Sequence, residues 1–137
     1  MYVKEADLIH RTPQHEMSEG MFRSLSLIIH LNYALSAKVP SCILIDDIGE
    51  GLDYQRSTTL IELLIDKAKD SSVQLILATN NQFVMNKVDL EYWSVIKREM
   101  QKTVFYNYRN AKDVFDQFEL TGLDNFDFFS SNYFLKL

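Results

Sequence analysis

Two short apolar runs, Cys42–Ile45 and Val73–Ala78, flank a stretch of helical periodicity. In that stretch Leu60, Leu63, Leu64 and Ala68 recur on one helical face across 55–69. Apolar runs of this length, broken only by Gln74, read as strands buried on both faces, as parallel sheets require. Strand, helix and strand in this order form a right-handed crossover, so the two strands are expected to be parallel and adjacent. No other feature narrows the fold as much. It specifies an α/β class with a parallel βαβ core.

The first run ends in paired acids. Cys42-Ile43-Leu44-Ile45-Asp46-Asp47 leads into Ile48-Gly49-Glu50-Gly51-Leu52-Asp53. Ligands of open α/β sheets bind outside the carboxyl ends of the strands. Adjacent carboxylates repel each other, and a bound cation relieves that repulsion. Carboxylate oxygens suit magnesium, and magnesium commonly arrives with a nucleotide phosphate. The second run ends in Thr79-Asn80, which the same crossover brings to the same edge.

The remaining segments extend this core. Residues 1–17 are mixed and polar, with Thr12-Pro13 as a turn. Ser18 suits a helix N-cap. After it Phe22, Leu25, Ile29 and Tyr33 form an apolar stripe, widened by Ile28, Leu31 and Leu35, to about Ala37-Lys38. Beyond the second run the pattern predicts a short helix at 82–87, strands near 91–97 and 102–108 joined by a hairpin at 98–101, and a helix near 110–118. The tail from 119 reads as irregular and aromatic, suited to core packing or to a docking surface. The 137 residues read as a single domain, 1–137, with its core at about 15–85 and a C-terminal extension at about 86–137.

Composition excludes several classes. A net charge of −5 weighs against a chain-wide basic surface for nucleic acid. The N-terminus is too polar for a signal peptide, and no apolar run approaches the roughly 20 residues that span a bilayer. A cytoplasmic protein with no membrane partner is expected. The single cysteine, Cys42, lies in an apolar run and is expected to be a small core residue. His10, His15 and His30 lack metal-ligand spacing with acids or Cys42. Asp46, Asp47, Glu50 and Asp53 lack the spacing of an EF-hand, and Gly49-Glu50-Gly51 lacks the third glycine of a dinucleotide loop.

The order of these motifs resembles the C-terminal half of the ATP-binding-cassette ATPases, in particular the RecF/SMC-like AAA-type branch. Met17-Ser18-Glu19-Gly20-Met21 looks like the signature motif, and Cys42–Asp46 like Walker B. Asp47 stands in the place of the catalytic glutamate. Glu50-Gly51-Leu52-Asp53 looks like the D-loop, and Leu77-Ala78-Thr79-Asn80 like the switch region, with Asn80 where the family usually has histidine. The resemblance covers about residues 15–85.

The resemblance implies a P-loop NTPase-like lobe that uses ATP and Mg²⁺. Asp46 would hold the metal, and Asp47 would orient or deprotonate the attacking water. Asn80 would hydrogen-bond that water or the γ-phosphate. Ser18, Glu19 and Gly20, with Asp53, would meet nucleotide bound by an opposite protomer, using the open N–H groups of a helix start. Asp47 is one methylene shorter than glutamate, and Asn80 cannot carry charge, so slow hydrolysis or binding without turnover is expected.

No glycine-rich loop ending in Lys and Ser or Thr occurs here. The four glycines stand at 20, 49, 51 and 122. The Walker A strand is therefore missing, and in related folds that strand packs beside 73–78, which should have an unpaired side. The implied partners are a P-loop-bearing half or a second protomer, in a homo- or heterodimer, with DNA reached through the full complex. The alternative is a non-catalytic interaction module that keeps the fold.

Overall fold

The computed structural model describes residues 2–137, and the chain forms two compact units, one reaching to Asn81 and one running from Gln82 to Leu137. The first unit begins with a short antiparallel pair, β1 (Tyr2–Val3) and β2 (Thr12–Pro13). Thr12-Pro13 thus extends beside another strand where a turn was expected. Proline is tolerated at such an edge because no further strand needs its missing N–H.

Helix α1 (Glu19–Ala37) starts at Ser18, whose Oγ accepts from the Met21 N–H at 3.2 Å. It ends where Lys38 turns left-handed, at φ 52°. Its apolar stripe is wider than the surface covering it. Leu31 is buried, but Phe22, Ile29 and Tyr33 are exposed, Tyr33 at 76%.

Strand β3 (Ser41–Ile45), helix α2 (Tyr54–Ala68) and strand β4 (Val73–Leu77) form the crossover. β3 and β4 pair in parallel, with Ser41 opposite Val73 and Ile45 opposite Leu77. Asp53 caps α2, and Leu60, Ile61 and Leu64 are buried along it. Helix α2 packs against both α1 and β4.

Burial along the strands alternates rather than running unbroken. Ile45 and Val73 are buried and Ile43, Leu75 and Leu77 half-buried, while Cys42, Leu44, Gln74 and Ile76 are exposed. The two-sided burial expected from the apolar runs is corrected here: among the described residues this sheet has two strands and one covered face. Cys42 lies on the uncovered face and is no core residue.

The second unit contains helix α3 (Gln82–Met85), the antiparallel hairpin β5 (Ser94–Glu99) and β6 (Lys102–Asn107), and helices α4 (Lys112–Glu119) and α5 (Asp127–Ser130). Its core is aromatic: Phe115, Phe118 and Phe128 are fully buried with Leu90 and Val95. The Phe115 and Phe128 rings stack at 5.3 Å, and Phe118 meets Phe128 edge-on at 5.1 Å. The tail is more regular than expected, with α5 followed by a 3-10 turn at Tyr133–Lys136. Its aromatics fill this core. Among the described residues no helix is long and apolar enough to cross a membrane.

Candidate functional site

The parallel ladder continues past the ends of β3 and β4. The Ala78 N–H donates to the Ile45 carbonyl at 2.8 Å, and the Ile48 N–H donates to the Ala78 carbonyl at 3.0 Å. Thr79 Oγ1 donates to the Ile48 carbonyl at 2.8 Å, and Asn81 Nδ2 to the Gly49 carbonyl at 3.4 Å. The loops after the two strands are thereby tied into one rim. Asp46, Asp47 and Asn80 lie on it, all exposed. Continuing the register by one step sets Asp46 beside Ala78.

Asp47 adopts the left-handed region, at φ 49°, and Gly49 and Gly51 follow at φ 91° and 73°. A short polar side chain is among the few non-glycine types that enter this region readily. The left-handed residues close two tight turns, with the Glu50 N–H on the Asp47 carbonyl and the Leu52 N–H on the Gly49 carbonyl, each at 3.2 Å.

The start of α1 is locked to this turn. Gly20 is buried, and a Cβ added there would sit 2.5 Å from the Gly51 carbonyl oxygen and 2.9 Å from Leu52 Cδ2. One turn along α1, Arg23 Nη1 reaches Glu50 Oε2 at 2.5 Å. That hydrogen bond to Glu50, aided by the charges of Glu19 and Asp47, raises the Arg23 pKa above its ordinary value. Ser18, Glu19 and Gly20 therefore belong to one neighbourhood with Glu50, Gly51 and Leu52.

Asp53 faces the opposite way in role. Its Oδ1 accepts from the Arg56 N–H at 2.8 Å and its Oδ2 lies 3.5 Å from the Arg56 guanidinium, so both oxygens serve the first turn of α2. Ser18 uses a lone pair in its cap, and its proton stays available for another acceptor. His30 is engaged locally, with Nδ1 2.8 Å from the Ser26 carbonyl oxygen. Arg23 and Asn81, and the bond Thr79 makes, escaped the sequence reading. Their partners stand 27 to 32 positions away, and nothing in local spacing pairs them.

The donor set suits one hard cation held loosely. Among the described residues no group of three or more His, Cys, Asp or Glu side chains is arranged to hold a metal. Nor do the Asp46 and Asp47 carboxylates take part in a side-chain hydrogen bond or salt bridge there. Two exposed carboxylates at a strand end fit magnesium, which keeps several waters and binds through one or two carboxylates together with substrate phosphates.

Residues 5–86 match the family model described as "AAA domain, putative AbiEii toxin, Type IV TA system". The fold is similar to a solved structure from work on ATP-driven dimerization and DNA-stimulated activation of SMC ATPases. The TM-score is 0.56 at 20% identity, over 86% of this chain and 71% of that one. No curated protein matches the chain. The α/β fold with its parallel pair is P-loop NTPase-like.

Proposed function

The chain belongs to this AAA-domain family, and from that premise we propose that it is the Walker B and signature half of an ATPase whose phosphate loop is supplied elsewhere. The function class is that of a nucleotide-binding, AAA/SMC-like ATPase domain. The observation that carries the finer reading is the shared rim: parallel β3 and β4 end side by side, with Asp46, Asp47 and Asn80 exposed there.

In this reading Asp46 holds magnesium through water, and the bound ion neutralises charge on the phosphates. Asp47 orients or deprotonates the attacking water, and the Asn80 amide hydrogen-bonds that water or the γ-phosphate. The Ser18 hydroxyl and the first N–H groups of α1 bind the phosphate of nucleotide held by a second protomer, with Glu19 and Gly20 at the contact. Asp53 supports that contact through the start of α2. Both units serve as one ATPase lobe, which acts in the cytoplasm as a dimer, and DNA is reached through the full complex.

A second reading, a non-catalytic interaction module, is favoured by Asp47 and Asn80 at the two positions that would govern turnover. Titration of MgATP separates the readings. The chain is titrated alone and then mixed with a candidate P-loop-bearing polypeptide, sought as a glycine-rich, lysine-ending loop in the coding sequence upstream. Binding in the mixture alone is the expected result. Binding by the chain alone contradicts the split arrangement, and assembly without nucleotide binding favours the interaction module.

A further inference from the structure

We infer that the outer face of the β5–β6 hairpin binds a single strand of nucleic acid, holding its phosphates on Arg98, Lys102 and Arg109 and stacking a base on Phe105. Neither ATP nor a second polypeptide takes part, so this contact lies outside the ATPase reading.

Charge is strongly segregated along the chain. Residues 96–112 carry Lys97, Arg98, Lys102, Arg109 and Lys112 against the single acid Glu99, a net +4. The whole chain stands at −5, so the other residues carry −9. A basic cluster on an otherwise acidic protein attracts a polyanion at that place and not elsewhere.

Three of these cations are unused by the fold. Lys97 turns to the core side, where its Nζ donates to the Leu137 carbonyl at 2.7 Å, and Lys112 is paired with Asp116. Glu99 accepts from the Tyr106 hydroxyl at 2.6 Å. Arg98, Lys102 and Arg109 are exposed, and among the described residues their side chains enter no salt bridge or hydrogen bond. Lys102 opens β6, and Arg109 stands in the turn after it, where its backbone N–H donates to Asn107 Oδ1 at 2.9 Å. Cations thus flank a strand about 17 Å long.

Between them lies an uncovered ring. Ile96 pairs with Phe105 and Arg98 with Thr103 in register. Strand alternation puts these four on one face, while Val95, Val104 and Tyr106 turn to the core. Phe105 is 55% exposed and Ile96 63%, and Arg98 is the diagonal neighbour of Phe105. At the tip Met100 takes a left-handed backbone, φ 52°, where glycine or asparagine is usual, and it is 95% exposed. Protection of a strand edge would account for the charges. It does not account for an aromatic ring left open among them.

The combination selects the occupant. Cations spaced along a strand match phosphates, and an exposed ring beside an arginine matches the face of a base. Unpaired bases present such faces, whereas those of a duplex are stacked on one another. A duplex would also bring a second charged backbone toward a protein that carries −9 outside the cluster. A carboxylate-rich peptide matches the cations but not the ring.

Fluorescence anisotropy of labelled oligouridylate and oligothymidylate, titrated with the chain alone, tests this. Both strands bind, and affinity falls about 20-fold between about 50 and about 200 mM salt, as three phosphate contacts require. Phe105→Leu weakens binding at least about fivefold, while Phe105→Tyr keeps it. Arg98→Gln combined with Lys102→Gln lowers the salt dependence to that of about one contact. Tyr33→Leu, at an exposed aromatic of α1, changes nothing. Circular dichroism checks that each variant folds. Binding of one of the two strands alone supports the site and assigns it to that sugar. Failure of both strands to bind at low salt overturns the proposal. Equal affinity for a blunt duplex overturns it too, as does binding that ignores both the Phe105→Leu and the Arg98–Lys102 variants. None of these outcomes bears on ATP binding.

Discussion

At Gly20 a single methyl group is decisive. The glycine lets the start of α1 approach the Gly51 backbone, where an added Cβ would lie 2.5 Å from a carbonyl oxygen that belongs to main chain. Gly20→Ala is expected to destabilise the protein by about 1–3 kcal/mol, the range for overpacking a tight contact. Urea unfolding measures it, and a wild-type midpoint would mean the turn yields at no cost. The sequence reading placed this glycine at an expected nucleotide contact; the structure places it against the Gly51 backbone. Asp47 is similar: its carboxylate was legible, its left-handed backbone was not, because φ depends on the turn that Gly49 and Gly51 complete.

Among the elements, the helix starts were the most legible parts. Ser18 caps α1 as its side-chain chemistry predicts. Asp53 caps α2, a role masked by its place in a D-loop-like motif. Asp53→Ala should cost about 1 kcal/mol of stability through the lost cap, read as a lowered thermal midpoint; an unchanged midpoint would show the cap to be dispensable. The β3 and β4 segments were legible as strands, but not their burial. Apolar runs report what a strand can tolerate on each face, and the cover for the second face is not among these residues. The stripe of α1 misled for the same reason. The α4 helix carries an electrostatic contact that spacing alone suggests: Lys112 Nζ lies 2.5 Å from Asp116 Oδ2, and the Tyr108 hydroxyl donates to Asp116 Oδ1. Hydrogen bonds from Lys112 and Tyr108 hold Asp116 below its ordinary value, and the same contact pushes Lys112 up to about 12. A depressed carboxylate stabilises the fold above its unfolded pKa and loses that contribution as pH falls through the folded one. The stability difference between wild type and Asp116→Asn should therefore be present at neutral pH and vanish in acid. Thermal melts across pH measure this, and a difference that persists in acid would assign it to packing.

For the whole molecule, the crossover was legible from two apolar runs and one amphipathic stretch, because parallel topology leaves few alternatives. The exposure of Cys42, Leu44 and Ile76 was not legible, since composition does not record which apolar groups find partners. In the proposed reading, assembly carries the function at this scale. Ser18→Arg adds a bulky cation at the start of α1 and, in the mixture with the P-loop-bearing half, is expected to block the proposed ATP-driven dimerisation while leaving the chain folded, as measured by light scattering with and without MgATP. Unaltered assembly would remove the trans role. The central claim is that the rim of Asp46, Asp47 and Asn80 becomes an ATPase site once a phosphate loop is supplied, and phosphate release tests it most directly. The wild-type mixture should release phosphate slowly, and the Asp47→Asn mixture should bind MgATP yet release none. Equal release from both mixtures, or release by this chain alone, would contradict the account.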